Sequence, residues 1–412
     1  MRINIDYIFT ILGIKDTLNG YRVYRINKII NKFYLIHDNI SIFKPYLKII
    51  FYLLGLRINI NDNNFYLTLV RVISGNILIG DKLFLRKVLT EGVFKRSNVK
   101  SWILLRDILY IKGEYIIGGL CRDLSLNLNC NGMVNKNLLN ALIENLIFNR
   151  SSDTDKEFIF KNTKAENKEL LVDFLSILNC QNKNNKHILN SDFSRFVSGK
   201  NIAIVGPAST NIDNGIEIDS YDLVVRLNYT YSKKGVDEVL TGTRTDISYF
   251  NGEQSAYLLE KFHGILPKEL KFSCIKGVGN FRLIKEKNKD RQVKLTDNFS
   301  LFTFYSSFTL APLAILDLLH YNVKSIKLFN IDLFLTRDRH PNYYPNDFDR
   351  NNEDKLKKTL RESFIDHDPL IHYMLMGKLY QCDRLSADKV FDDVMALGRE
   401  KYLEDLESIY QS

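Results

Sequence analysis

Residues 201–228 read NIAIVGPASTNIDNGIEIDSYDLVVRLN. Two short apolar runs, IAIVG and DLVVRLN, flank a loop of Gly, Pro, Ser, Asn and Asp, all turn-forming residues. Short continuous apolar runs bounded by turns fit strands buried on both faces, as in a parallel sheet. The second run nevertheless closes on Arg226 and Asn228, a charged and an amide side chain at the tip of a strand expected to be buried. Amides read the edges of bases and riboses, and guanidinium pairs with phosphate or carboxylate. Ligands of open parallel sheets bind at the carboxyl ends of the strands. The tip is therefore expected to wall a ligand pocket, with Asn228 facing it. Arg226 either braces the site or pairs with a core carboxylate such as Asp246.

The same grammar continues downstream. Strands are expected at 201–206, 222–228, 246–251, 271–277, 301–304 and 325–334, with a helix at about 307–321 and two or three helices over 354–410. Such alternation implies an α/β fold: a Rossmann-type, mostly parallel sheet flanked by helices. The first strand end, VGPAST (205–210), offers Gly206 and Ser209, and the third, in GTRTDISYFNGE (242–253), finishes on Asn251. Neither a Walker A loop nor GxGxxG is present, so ATPase and NAD-dependent readings lose their strongest support.

Upstream, residues 1–195 read as helices. The segments 85–128, 138–149 and 168–179 space apolar residues by three and four. A polar, Asn/Lys-rich stretch at 180–201 marks the expected boundary. It divides an all-helical scaffold or docking domain (1–195) from an α/β domain (196–412), and 412 residues suit two domains. Of the net charge of +9, residues 1–60 supply nine Lys/Arg against three Asp. With no zinc-finger spacing, RRM-like aromatic motif or basic heptad, nucleic acid is not expected; an anionic membrane surface or an anionic substrate suits the charge at least as well, and a merely solvated basic face is the simpler alternative. The run YLKIIFYLLGL (46–56) has 11 residues and a Lys. It falls short of the ~20 needed to span a bilayer and reads as a core or interfacial helix. Arg2 and Asp6 interrupt what would be the apolar region of a secretory signal. Five Cys without CxxC spacing point away from zinc or a disulfide framework. A cytoplasmic protein is the expectation, either free or peripheral at the cytoplasmic face of the inner membrane.

Three of the seven His, at 340, 367 and 372, fall within 33 residues. Imidazole titrates near neutrality and suits a general base. His367 and His372 are five apart, which does not share one helical face, so no metal site is expected.

At this level the chain resembles a known family. EIDSYDLVVRLNYTYSKKGVDEVLTGTRTDISYF (217–250) is similar to the long sialylmotif of animal-type sialyltransferases, and SSFTLAPLAILDLLHYNVKSIKLFNIDLF (306–334) to their small sialylmotif. His340 with Tyr343-Tyr344 resembles the third motif, and His367 the His opening the very small motif. Gly206-Pro207-Ala208, Phe250-Asn251 and Ile331-Asp332-Leu333 match the layout of bacterial lipooligosaccharide sialyltransferases. The resemblance covers roughly residues 200–385. It implies a GT-A-like, metal-independent glycosyltransferase with no cofactor. The donor would be a CMP-sugar carrying a 2-keto acid sugar, sialic acid or Kdo, and the acceptor a bacterial surface glycan.

On that footing CMP lies across the strand ends against Gly206, Ser209, Asn228 and Asn251. Ser306 and Ser307 face the phosphate or the sugar carboxylate, His340 and Tyr344 help the phosphate leave, and His367 deprotonates the acceptor. Direct displacement inverts the anomeric centre; a retaining route would ask Asp246 or Asp332 to act as nucleophile. The chain differs from the family at Pro207, where animal enzymes carry a nucleotide-contacting Asn. It has Phe308-Thr309-Leu310 in place of the small motif's Gly, and His372 in place of the very small motif's Glu. A different nucleotide-sugar donor, or a non-catalytic binding protein on a degenerate transferase fold, are the competing expectations.

Overall fold

The structure, a computed structural model, describes residues 18–38, 40, 47–54, 56, 58, 60, 62–91, 98–129, 136–149, 153–180, 191–229, 237–336 and 353–411. The chain forms two compact units. One comprises 1–133, 354–366 and 406–412; the other comprises 134–353 and 367–405.

The first unit is helical, with helices Leu18–Asp38, Leu47–Leu53, Asn63–Ser74, Asp81–Glu91, Val99–Ile111 and Tyr115–Asn129. Their apolar stripes meet in one core containing Ile26, Phe33, Phe51, Leu69, Trp102 and Leu109. The 46–56 run is only half committed to that core: its helix buries Leu47 and Phe51 but leaves Ile49, Tyr52 and Leu53 exposed. No described helix is long and apolar enough to cross a membrane.

The second unit holds a seven-stranded sheet in the order β5-β4-β3-β2-β1-β6-β7. The strands are β1 (Asn201–Val205), β2 (Leu223–Leu227), β3 (Ile247–Phe250), β4 (Phe272–Ile275), β5 (Val293–Leu295), β6 (Ser325–Phe329) and β7 (Leu385–Ala387). Every pairing is parallel. This is the α/β sheet that the alternation of apolar runs and turns implies. Ile202, Ala203 and Ile204 are all fully buried, because helices cover both faces and a central strand has no solvent side. Phe250, Ile275 and Val293 pack with Leu258 and Ile284 of the helices Gly252–Lys261 and Val278–Lys287. The helix Leu310–Leu319 is buried nearly all round, as an apolar helix must be.

Several details differ from the sequence reading. The expected strand at 301–304 is a 3-10 turn, Phe299–Phe302. The short strands β5 and β7 were not expected. The region 354–410 carries four helices, Glu353–Ser363, Pro369–Tyr380, Lys389–Ala396 and Gly398–Tyr410, rather than two or three. The switch from helices to strands does fall near residue 195, between Ser191–Val197 and Asn201. The compact units divide elsewhere, because the helices Lys136–Ile147 and Ala165–Leu178 pack inside the α/β unit. Asn140 donates to the Thr303 carbonyl at 2.7 Å, Glu144 accepts from the Phe304 amide at 2.6 Å, and Phe174 stacks on Phe302. Periodicity identifies a helix; the partner it packs against is a tertiary fact.

Cys180 and Cys382 form a disulfide across a sequence separation of 202, a bond that the reading of the cysteines as pointing away from a disulfide framework did not anticipate. Cys121 and Cys274 are buried thiols. Closing so long a loop restricts the unfolded chain, an effect typically worth about 2–4 kcal/mol. Cys382→Ser, or reduction of the wild type, is expected to lower the unfolding free energy by that amount, read from the denaturant midpoint. A midpoint indifferent to reductant would show that the bond does not hold the native state.

Candidate active site at the carboxyl edge of the sheet

The tips of β2, β3 and β4 stand side by side at this edge. Asn228 follows β2 with φ +54°, a left-handed conformation that Asn tolerates better than most residues. Its amide N–H donates to the Tyr249 carbonyl at 2.7 Å, and its Oδ1 accepts the Asn251 backbone N–H at 3.0 Å. Its Nδ2 makes no hydrogen bond among the described residues. Asn251 caps the helix Gly252–Lys261, accepting the Gln254 N–H at 2.7 Å. The structure thus brings Asn228 and Asn251 together. One tip further along, the Lys276 backbone N–H donates to the Phe250 carbonyl at 2.9 Å. Strands lie about 4.8 Å apart, so the row from Asn228 to Lys276 spans about 10 Å, the scale of a nucleotide.

Lys276 is the residue that sequence reasoning missed. Its ammonium donates to the Phe308 carbonyl at 2.8 Å, and burial lowers its pKa. The available signal was its position: in FSCIKG, Lys276 closes a strand as Asn228 and Asn251 close theirs.

Through Phe308 the row meets the second half of the site. His367 Nδ1 lies 2.9 Å from the Ser307 carbonyl, and the Ser307 hydroxyl is 3.2 Å from the same nitrogen. A carbonyl only accepts, so Nδ1 carries the proton and Nε2 presents its lone pair. The Ser306 Oγ accepts the Asp368 N–H at 3.2 Å, while Asp368 caps the helix Pro369–Tyr380, with proline at its first position. Burial drives the His367 pKa down to about 4; its bond to Ser307 opposes the fall and the Lys276 charge adds to it. His372, fully buried, is lowered to about 3 by burial first and by His367 next. Its Nε2 accepts the Thr309 N–H at 3.0 Å, at the start of the helix Leu310–Leu319. His372 thus positions the Ser306–Thr309 turn, and both imidazoles are neutral at pH 7.

The remaining candidates stand elsewhere. Arg226 reaches back to the Thr241 and Gly242 carbonyls at 2.6 and 3.0 Å and to the Arg244 carbonyl and Thr245 Oγ1 at 3.1 and 3.0 Å, bracing that turn. Burial lowers its pKa to about 10. It makes no pair with Asp246. Asp246 precedes β3, at the opposite edge of the sheet and about 16 Å from the Asn251 tip by strand rise. There it is paired with Arg244 at 3.0 Å and Lys271 at 2.8 Å and accepts the Val224 N–H. Asp246 is therefore not brought together with the other candidates. The Asp219 carboxylate binds the Thr243 and Arg244 N–H groups, and a Cβ on Gly242, where φ is +68°, would meet Asp219 Oδ1 at 2.5 Å. Those motif residues frame the amino edge.

At the topological switch between β1 and β6, a Cβ on Gly206 would meet the Asn330 carbonyl at 2.4 Å. The close approach of the β6 backbone is what requires this glycine. Asn330 Oδ1 accepts from Thr210 Oγ1 at 2.8 Å and Asn214 Nδ2 at 3.3 Å, and Asp388 accepts from the Asn330 N–H and Asn214. Buried polar groups fill this crevice. Ser209 beside it is half-buried, with no hydrogen bond among the described residues. Asp332 accepts from the Phe334 N–H at 3.3 Å and from the Thr336 N–H and hydroxyl at 2.7 and 2.5 Å, so its carboxylate is engaged in holding its own turn. His340 and Tyr344 lie outside the described residues. Among the described residues, no three His, Cys, Asp or Glu are grouped to hold a metal ion.

No protein-family model matches this chain, and no curated protein matches it. Among solved structures, it is similar to a mammalian sialyltransferase in complex with Gal-beta-1-3GalNAc-ortho-nitrophenol, at 13% identity and a TM-score of 0.33, over 63% of this chain and 88% of that one.

Proposed function

We propose that the protein is a metal-independent glycosyltransferase that moves a 2-keto acid sugar, sialic acid or Kdo, from a CMP-sugar to a hydroxyl of a glycan acceptor. The observation that carries this reading is His367: its Nδ1–H is committed to the Ser307 carbonyl, its Nε2 makes no hydrogen bond among the described residues, and the Ser306–Ser307 turn connects it to the carboxyl edge of the sheet. In the step envisaged, the acceptor oxygen bonds to the anomeric carbon and its proton passes to His367 Nε2. The bond from that carbon to the phosphate oxygen breaks, and its electron pair leaves with CMP. Asn228 and Asn251 present amides to the nucleotide. The placement of Asp246 at the other edge and the engagement of Asp332 by its own turn support an inverting displacement over a retaining route through either carboxylate.

Nucleotide binding tests the reading. A ligand at 100 times its dissociation constant that binds only the native state adds about 2.7 kcal/mol of stability. CMP is expected to raise the melting temperature, with or without EDTA, and UDP, GDP and ADP are not. Stabilisation by UDP or GDP instead would replace the donor; no shift with any nucleotide would overturn the transferase reading.

A further inference from the structure

The carboxyl edge carries a positive charge, Lys276, that no carboxylate among the described residues neutralises. The buried Lys294 of this unit faces a carboxylate, Asp317, at 2.6 Å, whereas Lys276 is half-buried beside the site. Arg226 spreads its charge over three carbonyls and a hydroxyl. Lys276 has the single Phe308 carbonyl at 2.8 Å. One neutral acceptor leaves two ammonium protons unmatched, and withdrawing a charge from water without a counter-ion is costly. Among the described residues no carboxylate pairs with it, and its neighbours His367 and His372 are neutral imidazoles, on both of which the Lys276 charge acts. A site preorganised in this way waits for an anion.

We propose that Lys276 is the cation that holds the phosphate of the nucleotide, and that it balances the charge this phosphate gains on leaving. The inference rests on the transferase reading above. When the bond to the anomeric carbon breaks, the phosphodiester monoanion becomes a phosphomonoester dianion, and the second negative charge forms within reach of the ammonium. A fixed ammonium thereby does what a divalent cation does in metal-dependent transferases. Its strand-borne position keeps it in place, with the Asn228–Asn251 pair on the neighbouring tips for the nucleoside.

Calorimetric titration of cytidine and CMP into the full chain tests this, using wild type, Lys276→Gln and Lys276→Arg. A hydrogen bond to a charged group is worth about 1.5–3 kcal/mol, so Lys276→Gln is expected to weaken CMP binding by about 10- to 100-fold. Cytidine binding should be unchanged, and Lys276→Arg should recover part of the loss. Equal losses for cytidine and CMP would mean that Lys276 merely supports the Phe308 turn, overturning the assignment. Wild-type-like CMP binding by Lys276→Gln would overturn it too, with the transferase reading intact. Failure of the wild type to bind either ligand would overturn the transferase reading, and this assignment with it.

Discussion

Replacing His367 with alanine is expected to lower turnover by about 10²- to 10⁴-fold while CMP binding persists, since a positioned general base contributes that much. The base must be unprotonated to act. Burial sets its pKa at about 4, so the active form is fully present above roughly pH 5.5 and is lost as pH falls through 4. The wild-type rate should be flat between about pH 6 and 8, without the inflection near 6.5 that an exposed histidine would give. The same shift makes stability acid-sensitive. Between pH 6.5 and 4 the unfolded chain binds protons that native His367 and His372 refuse, so stability declines as pH falls through that window. Turnover by His367→Ala within a few-fold of wild type would remove His367 from the chemistry. A clear limb at pH 6.5 would show that its imidazole is not held in the buried, neutral state.

Asp317→Asn is expected to destabilise the α/β unit by about 3–5 kcal/mol, the usual cost of stranding one partner of a buried ion pair. Asp317 is fully buried in the helix Leu310–Leu319, where it accepts from Lys294 at 2.6 Å and from the Tyr249 hydroxyl at 2.6 Å. Burial alone would push the Lys294 pKa down, but the Asp317 carboxylate holds it well above the ordinary value. Asparagine keeps the shape and one acceptor while removing the charge that Lys294 needs. Adding Lys294→Met to Asp317→Asn should recover most of the loss, because two apolar or neutral partners leave no charge stranded. Denaturant unfolding of the two single variants and the double variant measures this. Simple additivity would show that the pair is not coupled.

That ion pair also explains what was legible in the sequence. The strands β1 to β4 and β6 could be read because they are short, mostly buried apolar runs punctuated by turns. β5 is three residues with a lysine at its centre, and nothing local announces that Asp317, 23 positions away, allows Lys294 inside. Conversely, the aromatic run at 301–304 has the composition of a strand but packs as a single turn against Phe174. Asn228 and Asn251 were legible because each closes an apolar run. Lys276 closes one as well, but an isolated lysine reads as solvated until the Phe308 carbonyl is found beside it. Asp246 looked available only because the sequence does not say at which edge of a sheet a carboxylate stands. The disulfide has no local signature at all: neither cysteine has a neighbour that implies the other.

The strand order has a consequence for how the chain is made. β1 lies between β2, which follows it closely, and β6, whose Ser325 pairs with Asn201 from 124 positions downstream (325 − 201). Ribosomes add about 5–20 residues per second, so the apolar edge of β1 stays unpaired for roughly 6–25 s on a nascent chain. An open, hydrophobic strand edge is a template for pairing with other molecules. This protein therefore passes through a stage of synthesis when its own central strand is its main aggregation hazard, and a chaperone that masks residues 201–205 would act there first.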